Sequence, residues 1–140
     1  MTASADFKAP AVEQMLLRGL LQGFLRLFFR GLVRPPMPVA GQRRILRALT
    51  AITLTPRGVS RNSATLAGRP CEWHRPLVSS GSVLLYLHGG AFMIGGPDTH
   101  RSICASLAKR AALDVCALDY RLAPEHPYPA ARDDVVAAYQ

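Results

Sequence analysis

Val83-Leu84-Leu85-Tyr86-Leu87 runs directly into His88-Gly89-Gly90-Ala91-Phe92-Met93-Ile94-Gly95-Gly96-Pro97, and this junction decides the fold. The first five residues are apolar without alternation, the pattern of a strand covered on both faces in a parallel sheet. Asp98 then stands where a helix N-cap is expected, for a helix carrying Ile103, Leu107 and Ala111 on its inner face. A second continuous apolar run, Val115-Cys116-Ala117-Leu118, leads into Asp119 and Tyr120. Strand, helix and strand in this order form a βαβ unit and assign the α/β class. In open α/β sheets, ligands bind beyond the carboxyl ends of the strands, and that is where the glycine loop falls.

Gly89, Gly90, Gly95 and Gly96 are more glycines than a simple turn needs. Glycine lets the backbone take positive φ and come close to a ligand, leaving amide N–H groups free to point at it. An acyl-transfer reaction develops negative charge on a carbonyl oxygen, and preset N–H donors stabilise that charge. Each such donor contributes roughly 2.7–4 kcal/mol to the transition state. A phosphate loop would need G-x-x-x-x-G-K-[ST] or G-x-G-x-x-G, and neither is present.

Upstream of the junction, Val59–Leu66 and Cys71–Arg75 read as short strands around an Ala67-Gly68 turn. In the second, Cys71 and Trp73 face one way and Glu72 and His74 the other. Before them lies a helical pattern between Val39 and Leu54, with Ile45, Leu46, Leu49 and Ile52 at three-to-four spacing. From Ala11 to Arg34 the chain reads as a helix. Gln14, Arg18, Gln22, Arg26, Arg30 and Arg34 mark one drifting face of it, and Pro35 and Pro36 close it. Its wide apolar face suits a packed helix, a lid over an apolar pocket, or a surface anchor. It is not expected to span a membrane, because Arg18 and Arg26 interrupt it at about 2.5–3.5 kcal/mol each. No A-x-A cleavage site follows it, so a cytoplasmic location is expected.

Residues 1–75 hold 12 Lys/Arg against 3 Asp/Glu, whereas residues 76–140 hold 5 against 6, so the net charge of +8 sits in the first half. The basic residues are scattered singly, without zinc-finger spacing, a basic zipper region or an aromatic-flanked RNA motif, so no nucleic-acid partner is expected. With 49% hydrophobic content the chain is rich enough in apolar residues to build a core. Cys71, Cys104 and Cys116 form no C-x-x-C pair, which fits buried thiols in a reducing compartment. No metal or cofactor is expected.

His88-Gly89-Gly90-Ala91-Phe92, followed by Asp119-Tyr120-Arg121-Leu122-Ala123-Pro124-Glu125-His126-Pro127-Tyr128-Pro129-Ala130, resembles the hormone-sensitive-lipase-like branch of the α/β-hydrolases. The H-G-G-[GA] and Y-R-L-A-P-E-x-P-[FY]-P-A elements, in this order and spacing, are highly specific together. The resemblance implies an α/β-hydrolase fold and a carboxylic ester hydrolase of the serine esterase or lipase type. Its substrate would be a small-molecule ester. The oxyanion hole would be formed by the amides of Gly90 and Ala91, with Gly89 shaping the turn. The family often has glycine where Ala91 stands, but a backbone amide serves either way. Residues 1–56 would then be a basic helical cap segment, and 57–140 an incomplete α/β-hydrolase domain.

The family uses a serine in G-x-S-x-G, then an acid, then a histidine. No serine here has glycine two residues to each side. The chain is therefore expected to end before the nucleophile strand, and to be inactive alone. The strand at Val115–Tyr120 is expected to leave an apolar face and an unpaired edge. His88, His100 and His126 precede any such serine, so none is expected to be the catalytic base. His88, Tyr120, Arg121 and Glu125 are expected to support the loops, with Arg121, Glu125 and Asp119 in one ion-pair cluster. Asp133 and Asp134 suit the start of a helix. The alternatives are an inactive binding protein on the same scaffold, as in the gibberellin receptors, or a basic protein of the membrane surface.

Overall fold

The computed structural model describes residues 12–32 and 37–140, and the chain divides between Pro38 and Val39 into two compact units. The first contains α1 (Val12–Leu32), a helix whose described leucines are exposed, among them Leu16, Leu20 and Leu27. The helix stop expected at Pro35 and Pro36 lies outside the described residues. Among the described residues no helix is long and apolar enough to cross a membrane.

The second unit begins with α2 (Val39–Ala51) and continues as β1 (Val59–Leu66), β2 (Arg69–Pro76), β3 (Val83–Tyr86), α3 (Arg101–Ala111), β4 (Asp114–Leu118) and α4 (Ala130–Tyr139). β1 and β2 form an antiparallel hairpin in which Leu66 pairs with Arg69. The two intervening residues, Ala67 and Gly68, take φ of 49° and 74°. Positive φ at both central positions is what a type I′ hairpin turn requires, because its twist matches that of the strands.

The strand order is β1-β2-β4-β3, with β4 antiparallel to β2 and parallel to β3. β4 is therefore interior, which corrects the expectation that its edge is unpaired. The strands with a partner on one side only, among the described residues, are β1 and β3, and in β3 Val83 and Leu84 are exposed. The local pattern marks both runs as apolar strands, but sheet order is set by long-range pairing that the pattern does not carry.

β4 divides its side chains between two layers. Val115 and Ala117 pack with Cys104 and Ala108 of α3, whereas Cys116 and Leu118 pack with Cys71, Tyr120 and the inner face of α4 at Ala131, Val135 and Ala138. All four β4 residues are at most 1% exposed, and burying a Val or Leu stabilises by about 1.5–3 kcal/mol. α3 lies on the sheet through small residues, Cys104, Ala105 and Ala108. Ile103, Leu107 and Ala111 are on its exposed side, contrary to expectation. Small side chains allow the closer approach of helix to sheet, so they win the inner face over larger apolar ones at a similar spacing.

Asp98 does not cap α3 either. Pro97–Thr99 form a single 3-10 turn ahead of the helix, the position before α3 is His100, and Asp98 pairs with Arg47 at 3.0 Å. Glu72 and His74 do share a face, as expected. Arg101 of α3 grips both Glu72 carboxylate oxygens at 2.9–3.1 Å, and His74 Nε2 lies 3.2 Å away. Burial alone would raise the Glu72 carboxyl, but His74 and Arg101 outweigh it and hold it down at about 2. This fastens α3 to β2.

Candidate functional site

Beyond the carboxyl ends of the parallel strands β3 and β4 lie two loops, one rich in glycine (residues 88–96) and one rich in proline (residues 121–129). In the first, the Gly90 carbonyl accepts the amides of Met93 and Ile94, both at 3.0 Å. Gly90 holds φ of 133°, and a Cβ there would fall 2.0 Å from the backbone oxygen of Ile94. Gly95 has φ of 96°, and a Cβ there would meet Gly89 O and His88 Nδ1, each at 2.6 Å. Glycine is required at both positions, by conformation and by space. Ala91 and Phe92 follow at φ of 53° and 58°, the left-handed region that costs a residue with a side chain about 1–2 kcal/mol. In this shape the amides of Gly90 and Ala91 have no hydrogen-bond acceptor among the described residues.

His88 stands beneath the loop, 4% exposed. Its ring stacks on Tyr120, with centroids 4.3 Å apart, and the Tyr120 hydroxyl donates to the His88 carbonyl. Nδ1 lies 3.0 Å from the Gly89 carbonyl, which can only accept, so the proton belongs on Nδ1. Nε2 is buried without a hydrogen-bond partner among the described residues. Burial lowers the His88 pKa below its ordinary value, against the opposing bond to Gly89, and keeps the ring neutral. Burial likewise raises the Asp119 carboxyl.

The proline loop is held by charge. Arg121 donates from Nε and Nη2 to both oxygens of Asp134, at 2.7–3.1 Å, and its amide donates to Oδ2 at 2.9 Å. Arg69 Nε stands 3.3 Å from the same carboxylate. Burial would raise Asp134, but the bonds from Arg121 hold its carboxyl below the usual range. The expected cluster of Arg121, Glu125 and Asp119 does not form. Arg121 takes Asp134 from α4, and Glu125 takes Arg43 from α2 at 2.8 Å. Asp134 is 6% exposed and anchors two arginines, so its task is more than complementing a helix dipole.

Arg43 escaped the sequence reading. No acidic residue lies within four positions of it, so no i,i+4 pair marks it out from its neighbour Arg44, and the sequence carries no signal of its partner. The two loops also meet directly, through the Ala123 amide and the Phe92 carbonyl at 2.8 Å. Beside this junction opens a mainly apolar cavity of about 440 Å3, lined by Phe92, Ala123, His126, Tyr128, Ala131 and Arg132. Cys104 and Cys116 are buried, and burial pushes their thiols up to about 12, which suits packing and not nucleophilic attack. No group of three or more His, Cys, Asp or Glu among the described residues is placed to hold a metal ion.

A family model described as an alpha/beta hydrolase fold matches residues 84–140. An acetyl-hydrolase of Streptomyces hygroscopicus is 49% identical over 69 residues, covering 49% of this chain and 23% of that protein. An ethyl acetate hydrolase of Pseudomonas putida is 44% identical over 61 residues, covering 44% of this chain and 19% of that protein. Among solved structures, a hormone-sensitive lipase from a metagenome library superposes with a TM-score of 0.81 at 36% identity, covering 87% of this chain and 40% of that one. EstE5, in a crystal soaked with p-nitrophenyl butyrate, gives 0.75 at 32% identity, covering 93% and 42%. The chain spans less than half the length of each of these relatives.

Proposed function

We propose that this chain, which belongs to the hormone-sensitive-lipase-like branch of the α/β-hydrolases, is the oxyanion-stabilising part of a carboxylic ester hydrolase. The observation that carries the reading is the pair of Gly90 and Ala91 amides, unclaimed by any described acceptor at the carboxyl end of β3. In the reaction, a serine outside these residues loses its proton to a histidine base and attacks the ester carbonyl carbon. The carbonyl oxygen becomes anionic, and the two amides donate to it while Gly89 shapes the approach. The intermediate expels the alcohol, which takes the proton back from the histidine, and water then hydrolyses the acyl-enzyme by the same steps. His88, Tyr120, Arg121 and Glu125 hold the loops and transfer no proton. The cavity beside Phe92 has the size of a small-molecule site and suits an apolar part of the ester.

The backbone conformation dictates how the oxyanion role is tested. Ala91→Pro deletes the N–H but also forces φ towards −65°, whereas Ala91 sits at 53°. Replacing Ala91 by its α-hydroxy acid, lactic acid, deletes the N–H and keeps the side chain. In the complete hydrolase this replacement is expected to lower kcat on p-nitrophenyl butyrate by roughly 100- to 1,000-fold. An unchanged kcat would remove Ala91 from the site. Residues 1–140 alone are expected to show no turnover above background. Stoichiometric labelling of one of their serines by an organophosphate, with loss of measured turnover, would overturn that expectation.

A further inference from the structure

We infer that Arg43 is the positioning residue of the glycine loop: its guanidinium ties that loop to the proline loop and so fixes where the Gly90 and Ala91 amides point. Nε donates to the Met93 carbonyl, Nη2 to the Ala123 carbonyl, and Nη1 and Nη2 to the two Glu125 oxygens, all at 2.8 Å. The side chain is 20% exposed, although its helix, α2, is far from both loops in sequence. An exposed ion pair alone contributes little. Here half the bonds go to backbone carbonyls, one in each loop.

These bonds complete a ring. Met93 O is bound by Arg43, Arg43 binds Ala123 O, and the Ala123 amide returns to Phe92 O, next to Met93. The ring closes on Phe92 and Met93, at the end of the segment where strain is stored. Ala91 and Phe92 both hold left-handed φ, and such conformations persist only where the surroundings over-determine them. Within the loop, the Gly90 carbonyl holds the Met93 and Ile94 amides; the bonds from outside that reach Phe92 and Met93 come from Ala123 and Arg43. The planar fork of a guanidinium reaches three directions in one plane, which a lysine ammonium does not reproduce. The clamp stands on geometry alone, whereas its service to an ester oxyanion rests on the proposed function.

The test is amide hydrogen exchange at Met93, Ile94 and Ala123 in the full-length protein, with β4 amides as the measure of global stability. Arg43→Ala is expected to lower protection at the three loop amides at least tenfold and leave β4 within twofold. Arg43→Lys should resemble it. Glu125→Gln, which spares both carbonyl bonds, should change protection less than threefold. In the complete hydrolase, Arg43→Ala should lower kcat on p-nitrophenyl butyrate at least tenfold with KM within twofold. Unchanged loop protection, equal loss at β4, or a raised KM with kcat intact would each overturn the positioning role. A wild-type enzyme without ester turnover would sink the proposed function alone, because the exchange data decide the clamp independently.

Discussion

The glycine loop and the proline loop lie side by side beyond adjacent parallel strands, yet they are built by different means. The first takes its shape from backbone conformation: Gly90 and Gly95 where no Cβ fits, and Ala91 and Phe92 at positive φ. The second takes its shape from side-chain charge, with Arg121 in the grip of Asp134 and Glu125 in the grip of Arg43. A loop that presents a pair of amides cannot use that pair to hold itself, so its shape rests on steric limits and on bonds to its carbonyls, and substitution at Gly90 or Gly95 is all-or-none. A loop held by carboxylates loosens gradually, as those charges are removed one by one.

The largest expected effect tests the steric half of this contrast. Gly90→Ala places a Cβ against the Ile94 carbonyl, a backbone atom that cannot rotate away. It should cost about 3–4 kcal/mol and reduce turnover of the proposed hydrolase to background. Near-normal melting and activity would show that the glycine loop is as adaptable as its neighbour.

Asp134→Asn comes next. It leaves Arg121 and Arg69 around a neutral amide, and the partial exposure of Arg121 keeps the cost below that of a fully buried pair, at about 2–3 kcal/mol. Urea unfolding measures it. The expected signature is lost protection in residues 121–129 with the Met93 and Ile94 amides retained.

Acidification should separate the loops without any mutation. His88 has a folded pKa below its ordinary value, so the unfolded chain binds its proton first. Stability from this group is complete above about pH 6.5 and declines as pH falls below it. Asp134 is also depressed, but its contribution is complete above about pH 4 and is lost only as pH falls further, through the folded pKa. Exchange measured from pH 8 to 3 should therefore loosen the glycine loop first. The reverse order would refute the assignment of His88 to that loop's support.

The smallest effect sharpens the contrast from within. Ala91→Gly relieves a left-handed alanine and should stabilise by about 1 kcal/mol or less, because the unfolded chain gains freedom too. Ester turnover by the proposed hydrolase should stay within about tenfold, since the amide is kept. A large loss would mean that the Ala91 methyl contributes something the backbone does not.

The legible parts of this molecule are those whose cause is local. Two apolar runs and a turn signal at Ala67-Gly68 are enough for four strands, and the glycine spacing at 89–96 locates the loop. What local pattern could not yield is choice among distant partners. β4 is interior because the chain leaves β2 for the outer strand β3 and returns through α3 to lie between them, a decision no residue of β4 announces. Glu125 chose an arginine of α2 over its neighbour Arg121. α3 turned Cys104 and Ala108 inward where Ile103 and Leu107 matched the same periodicity.

The sheet order has a consequence for the sequence of events in folding. The β1–β2 hairpin closes over two residues and needs nothing else, so it can form within microseconds. β3 has no such neighbour: its described partner is β4, reached only across the whole of α3. β4 in turn docks on β2, the hairpin strand already made. Parallel pairing across a crossover must meet the loop-closure entropy before any ladder bond forms. The glycine loop hangs from β3 and leans on Tyr120, just past β4, so it acquires its shape after the hairpin and not with it. Folding-rate measurements should therefore find mutations in β1 and β2 acting on the early barrier, while those in residues 88–96 alter unfolding more than folding.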